Sequence, residues 1–223
     1  MNSLIPVLTI DGPSGSGKGT VSRAVARRLG WHFLDSGAIY RSLAIAVLRA
    51  GMPFEDEEAV ARLAERMDLA FTAEDPPRVL LAGEDIAGEI GSETTGNAAS
   101  RIAASRPVRQ ALLDKQRGFR QAPGLVADGR DMGTVVFKDA AHKVFLTASA
   151  EVRAGRRLKQ LKEKGLDVTL ASLTREIEER DRRDRERAEA PLVMADGAVL
   201  IDSSDMDIQQ VIDRVMAVMH PAG

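Results

Sequence analysis

A chain of 223 residues is long enough for one α/β domain with a modest insertion, and its formal net charge of −2 gives no support for wholesale nucleic-acid wrapping, although arginines can still cluster locally. No cysteine is present, which excludes disulfides, thiolate metal sites and thiol nucleophiles. The opening Met-Asn-Ser-Leu-Ile-Pro lacks a basic segment followed by a long apolar run, and no stretch is long enough to span a bilayer. A soluble cytoplasmic protein with no membrane partner is therefore expected.

The first element is an apolar run at 7–11, read as a buried strand. It leads into Gly12-Pro13-Ser14-Gly15-Ser16-Gly17-Lys18-Gly19-Thr20 and a helical pattern over 18–29. Gly12, four further residues, then Gly17 and Lys18 have the spacing of a phosphate-binding P-loop in the strand–loop–helix context it needs. Glycines let backbone N–H groups converge on phosphate oxygens, the helix N-terminus adds positive potential, and Lys18 reaches the terminal phosphates. Gly19 stands where such loops usually carry Ser or Thr, and Thr20 comes one place later. Mg²⁺ is expected with the nucleotide, without a firm protein ligand.

A second strand at 32–35 runs into Asp35-Ser36-Gly37-Ala38-Ile39-Tyr40-Arg41 and a helix over 38–50. Strand–helix alternation then breaks. An acidic helix at 55–67 and short strands at 69–72, 78–82 and 84–86, with turns at Asp75-Pro76-Pro77 and Gly83, form an insertion at about 54–92. Asn97-Ala98-Ala99-Ser100 and Val108-Arg109 follow, the latter opening a helix over 108–121. A third strand at 125–128 ends in Ala127-Asp128-Gly129-Arg130-Asp131-Met132-Gly133. Next come a strand at 143–148, helices at 150–164 and 170–187, a fifth strand at 199–202 and a helix at 208–219. Continuous apolar strands indicate a parallel sheet covered on both faces, and the alternation indicates a doubly wound α/β fold. Ligands of such sheets gather beyond the strands' carboxyl ends, where these motifs lie.

The charge-dense stretch 178–187 would ordinarily be a solvated helix face. Helical spacing divides it. Leu173 and Ile177 lie on one face, and Arg180, Asp184 and Arg187 continue that face by steps of three or four, while Arg182, Arg183 and Arg185 leave it. Arg153 and Arg157 are one turn apart on the preceding helix. His32, His142 and His220 have no metal-ligand spacing.

The P-loop, the 35–41 run, the Asp-Gly-Arg-Asp-Met-Gly-Thr run from Asp128 and the Arg-Asp-Arg-Arg-Asp-Arg segment together resemble the bacterial cytidylate kinases, over about residues 6–215. The resemblance implies an adenylate-kinase-like fold: a core, a lid at about 150–167 and the insertion near the monophosphate site. It implies transfer of the γ-phosphoryl group of ATP to CMP or dCMP. It gives the P-loop, with Arg153 and Arg157 of the lid, to ATP. It gives Ser36 to the acceptor side and Arg41, Arg130 and Arg187 to the acceptor phosphate. Ser100, Arg109 and Asp131 would read cytosine, and Arg180 and Asp184 would lie near its ribose. A phosphate monoester with a second pKa of about 6 already carries a nucleophilic oxygen at neutral pH, so no catalytic base is required.

Three other readings compete. One is a monophosphate kinase with a different acceptor, such as UMP or AMP. A P-loop switch protein should carry a guanine-reading Asn-Lys-x-Asp segment, and the sequence has none. A sugar or shikimate-like kinase needs a hydroxyl-activating carboxylate and fewer phosphate-clamping arginines. No long exposed apolar stripe is evident, and a monomer is expected.

Overall fold

We describe the chain from a computed structural model covering residues 5–72, 78–163, 165 and 167–219, to which all structural statements refer. The expected turn at 75–77 and Lys164, the expected end of a helix, lie outside the described residues. In chain order the elements begin β1 (Val7–Asp11), α1 (Lys18–Leu29), β2 (His32–Asp35), α2 (Ser36–Arg49), α3 (Glu57–Arg66) and β3 (Leu69–Phe71). They continue with β4 (Val79–Leu81), β5 (Glu84–Asp85), α4 (Ala87–Ile90), α5 (Glu93–Ile102), α6 (Arg106–Arg117) and β6 (Leu125–Gly129). A π-helical turn (Met132–Val136) precedes β7 (His142–Thr147), α7 (Ala150–Glu163), α8 (Leu170–Glu186), β8 (Val199–Asp202) and α9 (Ile208–Met219). Contacts divide the chain into two compact units, Met1–Leu34 with Phe119–Gly223, and Asp35–Gly118.

The first unit is built on a five-stranded parallel sheet in the order β2-β6-β1-β7-β8. All five residues of β1 and of β6 are buried, which is why their sequences are mostly apolar rather than alternating, with Thr9, Asp11 and Asp128 as the buried exceptions. Leu8 and Ile10 meet Val21 and Val25 of α1, and Val211, Ile212 and Val215 of α9, in one core. Each such side chain contributes roughly 1.5–3 kcal/mol relative to exposure. Helix α1 stops at Gly30, whose left-handed backbone (φ 66°) turns its N–H back onto Ala26 and Arg27. Winding reverses beside β1, and β1 pairs with β6 so that Asp11 lies opposite Gly129. The P-loop and the 130–133 segment thus leave the sheet at the same level, where ligands of open sheets gather.

The second unit packs α2 against α5 and α3 against α6, with a small antiparallel sheet β3-β4-β5. Asp35 caps α2 by accepting from the Ala38 N–H at 2.9 Å. The helices α4 and α5 were not expected from sequence. Thr, Gly and Asn give α5 poor intrinsic propensity. Its Ser92 cap and a buried face of Thr95, Gly96, Ala98, Ala99 and Ile102 stabilise it instead.

Gly12 sits where β1 meets β7, at φ 150°, and a Cβ there would lie 2.0 Å from the Leu146 carbonyl oxygen. Only a residue without a side chain fits. Gly12→Ala should therefore cost about 3 kcal/mol or more, or about 10 °C in melting temperature. Thermal unfolding checks this, and a variant that melts with the wild type contradicts the close approach.

Candidate active site

A loop whose N–H groups must face a phosphate turns its carbonyls outward, and those carbonyls need donors of their own. Gly15 and Gly17 take left-handed φ values of 76° and 92°, giving the loop its reversal. Lys18, only 5% exposed, donates to the Pro13 carbonyl at 2.8 Å, and Ser16 Oγ donates to the same oxygen at 3.1 Å. Thr20 is exposed on the first turn of α1.

Helix α7 supplies further donors. The Arg153 guanidinium donates to the Ser14 carbonyl at 3.0 Å and to Ala148 at 2.9 Å. Its remaining donors form a two-point pair with Asp181 of α8, at 3.1 and 2.5 Å, with both side chains 4% exposed. Arg156 reaches the Ser16 carbonyl at 3.4 Å and the Ser203 carbonyl at 2.7 Å. Arg157 is half-buried, 3.4 Å from Gln160 of its own helix. Helices α7 and α8 share a small core of Ala154, Leu161 and Leu173.

Beyond β6 the charges interleave. Arg130 donates through Nε to Asp184 at 3.0 Å, and Arg187 lies 3.7 Å from Asp131. Burial opposes the Asp184 carboxylate, but Arg130 and then Arg180 outweigh it, so its pKa falls below the ordinary carboxylate value. The inward stripe of α8 follows its spacing in part: Leu173 and Asp184 are buried, Arg180 is half-buried, and Arg182 and Arg185 are exposed, but Arg183, expected to leave the stripe, is half-buried as well. Asp181, one turn beyond Ile177, belongs to that stripe too, and its spacing was a signal that went unread.

Asp11 carries another interaction missed in the sequence. Its carboxylate accepts from the Met132 and Gly133 N–H groups at 2.8 Å each, tying the end of β1 to the segment after Asp131. Burial raises its pKa to about 7, against those two hydrogen bonds, with Asp131 raising it further and Lys18 lowering it.

In the second unit, Ser36 donates to Gln116 at 2.9 Å. Arg41 is half-buried on α2, and Ser100 is half-buried on α5. The Arg109 guanidinium lies 5.9 Å from the ring centroid of Tyr40 and donates to the Ala103 carbonyl at 3.3 Å.

The family model of cytidylate kinase matches residues 8–221. A cytidylate kinase of Methylococcus capsulatus is 66% identical over 220 residues, 99% of each chain. Those of Edwardsiella ictaluri and Photobacterium profundum are 57% and 54% identical, covering 97% and 100% of this chain and 97% and 98% of their own. The chain belongs to the cytidylate kinase family. Its expected α/β fold, five-stranded parallel sheet included, is the one observed.

Kinases of this family use a nucleotide with a divalent metal. Among the described residues no group of three His, Cys, Asp or Glu side chains is arranged to hold a metal. Asp128 offers a carboxylate beside the start of α1 instead. A Cβ added at Gly19 would lie 3.4 Å from Asp128 Oδ2, so a buried acid stands close to the position where other P-loops carry a hydroxyl. That fits a cation such as Mg²⁺ carried by phosphates and water, with the protein touching its water shell.

The Arg153–Asp181 pair is buried, so removing one partner strands a charge. Arg153→Ala or Asp181→Ala should each lose about 3–5 kcal/mol of stability, and an Arg153→Met, Asp181→Leu double variant should regain much of it. Urea unfolding measures this. Small, additive losses would show the pair does not brace the loop.

Proposed function

We propose that this protein transfers the γ-phosphoryl group of ATP to CMP, and to dCMP as a related acceptor, giving ADP and CDP or dCDP. The observation that carries this reading is the placing of Arg130 and Asp131 directly beyond the strand that pairs with the P-loop strand, in a chain of the cytidylate kinase family. One of these neighbours suits phosphate, the other a base.

In this reading Lys18 and the P-loop backbone bind the ATP phosphates. Asp128 would meet the water shell of a Mg²⁺ bound with ATP, which would supply neutralisation of the phosphate charge. Arg41, Arg130 and Arg187 hold the acceptor phosphate, whose oxygen attacks in line without a protein base. Asp131 accepts the cytosine amino group, and Arg109 and Ser100 donate to the ring's acceptors. Ser36 contributes on the acceptor side, and Arg180 and Asp184 lie at the ribose. Residues 150–167 act as a lid, carrying Arg157 toward ATP and excluding water. Arg153 acts through the loop it braces. Residues 54–92 form the insertion beside the monophosphate. The enzyme works as a cytoplasmic monomer, with no nucleic acid or membrane partner. No helix among the described residues is long and apolar enough to cross a membrane.

A coupled ADP-release assay over CMP, dCMP, UMP and AMP tests the assignment. CMP should exceed UMP in kcat/KM by at least ~100-fold, since a site built around a substrate hydrogen bond rejects the analogue lacking it. A ratio near one would defeat the cytosine reading. Lys18→Ala should lower kcat by roughly 100-fold or more with its circular dichroism unchanged. Arg130→Ala should lose about 100-fold with CMP while ATP binding persists. An effect confined to the ATP constant would move Arg130 to the donor side.

A further inference from the structure

We infer that Asp11 is the positioning residue of the acceptor-reading segment: anchored on the P-loop strand, its carboxylate holds the backbone just after Asp131 and so sets where Arg130 and Asp131 are presented. The inference rests on the role proposed for Asp131.

The geometry is specific. Asp131 occupies the N-cap position of the π-helical turn, yet its side chain makes no cap hydrogen bond. An aspartate there would ordinarily accept from the first N–H groups of its own helix. Asp11 takes one of the usual cap donors, the Gly133 N–H, and with it the Met132 N–H, one oxygen on each at 2.8 Å. Asp131 is thereby relieved of capping and turns to Arg187, 3.7 Å away. Two consecutive N–H groups met by two oxygens fix both position and rotation of the segment, and a single acceptor would fix less.

The site is 3% exposed at Asp11, and burying a carboxylate rather than an amide there is unfavourable unless its second oxygen is used. The charged groups facing it are Lys18, from α1, and Asp131, from the segment it holds. On the sheet side, β6 and β7 place Gly129 and Phe145 opposite it, both uncharged. Burial and Asp131 put the proton's release at about pH 7. Below that pH one oxygen becomes a hydroxyl and meets an N–H donor to donor, so the hold weakens.

The test is the CMP/UMP ratio of kcat/KM, measured from roughly pH 6 to 8.5 for wild type and Asp11→Asn. Both acceptors share a phosphate titrating near pH 6, so its ionisation divides out of the ratio, as does any inactive protein. The wild-type ratio should rise through about pH 7. The variant's ratio should be flat and about tenfold lower at high pH, the size of one lost hydrogen bond. Stability should move the opposite way. A carboxyl whose pKa is raised from 3.8 favours the folded state below that value and loses this contribution as pH rises through about 7, and Asp11→Asn should lack the decline. A large wild-type ratio that ignores pH, or one unchanged by the substitution, overturns the role of Asp11 and leaves the cytosine assignment standing. A wild-type ratio near one removes both. Should Asp11→Asn fail to fold, Asp11→Glu takes its place: its longer stem displaces both acceptors, and a CMP/UMP ratio at high pH equal to the wild type's overturns the role.

Discussion

The structure depends on a single constraint: a loop cannot aim its N–H groups at a phosphate without turning its carbonyls away. Lys18, Ser16, Arg153 and Arg156 all donate to loop carbonyls, those of Pro13, Ser14 and Ser16. Charged donors suit this task because a charge-assisted hydrogen bond is about twice as strong as a neutral one. A charge beneath the loop must itself be compensated, and Asp181 does this for Arg153. The brace is therefore a chain of obligations, from loop to α7 to α8, and it explains a buried aspartate in a helix that is otherwise densely charged on its outside.

Paired charges recur beyond β6, where Arg130 meets Asp184 and Arg187 approaches Asp131. Half-buried guanidiniums with nothing opposite them would be costly. On the function proposed here, these carboxylates hold the arginines in place before an acceptor phosphate arrives, and the phosphate then enters a set of donors already oriented. Preorganisation of that kind lets arginines act on charge as it develops, with little reorganisation at the moment of transfer.

Much of this was legible from residues alone. The main strands, the P-loop helix and the inward stripe of α8 announce themselves through apolar runs and helical spacing. Helix α5 did not, because its stability comes from packing and a serine cap rather than from propensity. The π-helical turn was invisible, since its first N–H groups are satisfied by Asp11, more than a hundred residues earlier. The brace escaped for a related reason. Spacing puts Asp181 on the inward stripe and the resemblance gives Arg153 to ATP, but neither indicates that the two pair beside the Ser14 carbonyl. Local patterns disclose elements and motifs, whereas partners distant in sequence are disclosed only by the fold.

Asp11 shows how stability and function diverge at such a site. Its burial makes the ionised form unfavourable for the folded state, and an uncharged residue of the same shape would relieve that. The same ionised form is the one with two acceptors for the two N–H groups it faces. Lys18 nearby lowers the cost in part, and Asp131 adds to it. A chain selected for stability alone would not keep two acids this close in its interior. On the function proposed here, one acid holds the backbone while the other meets Arg187 and the acceptor, and that division of labour accounts for the electrostatic tension beside the P-loop.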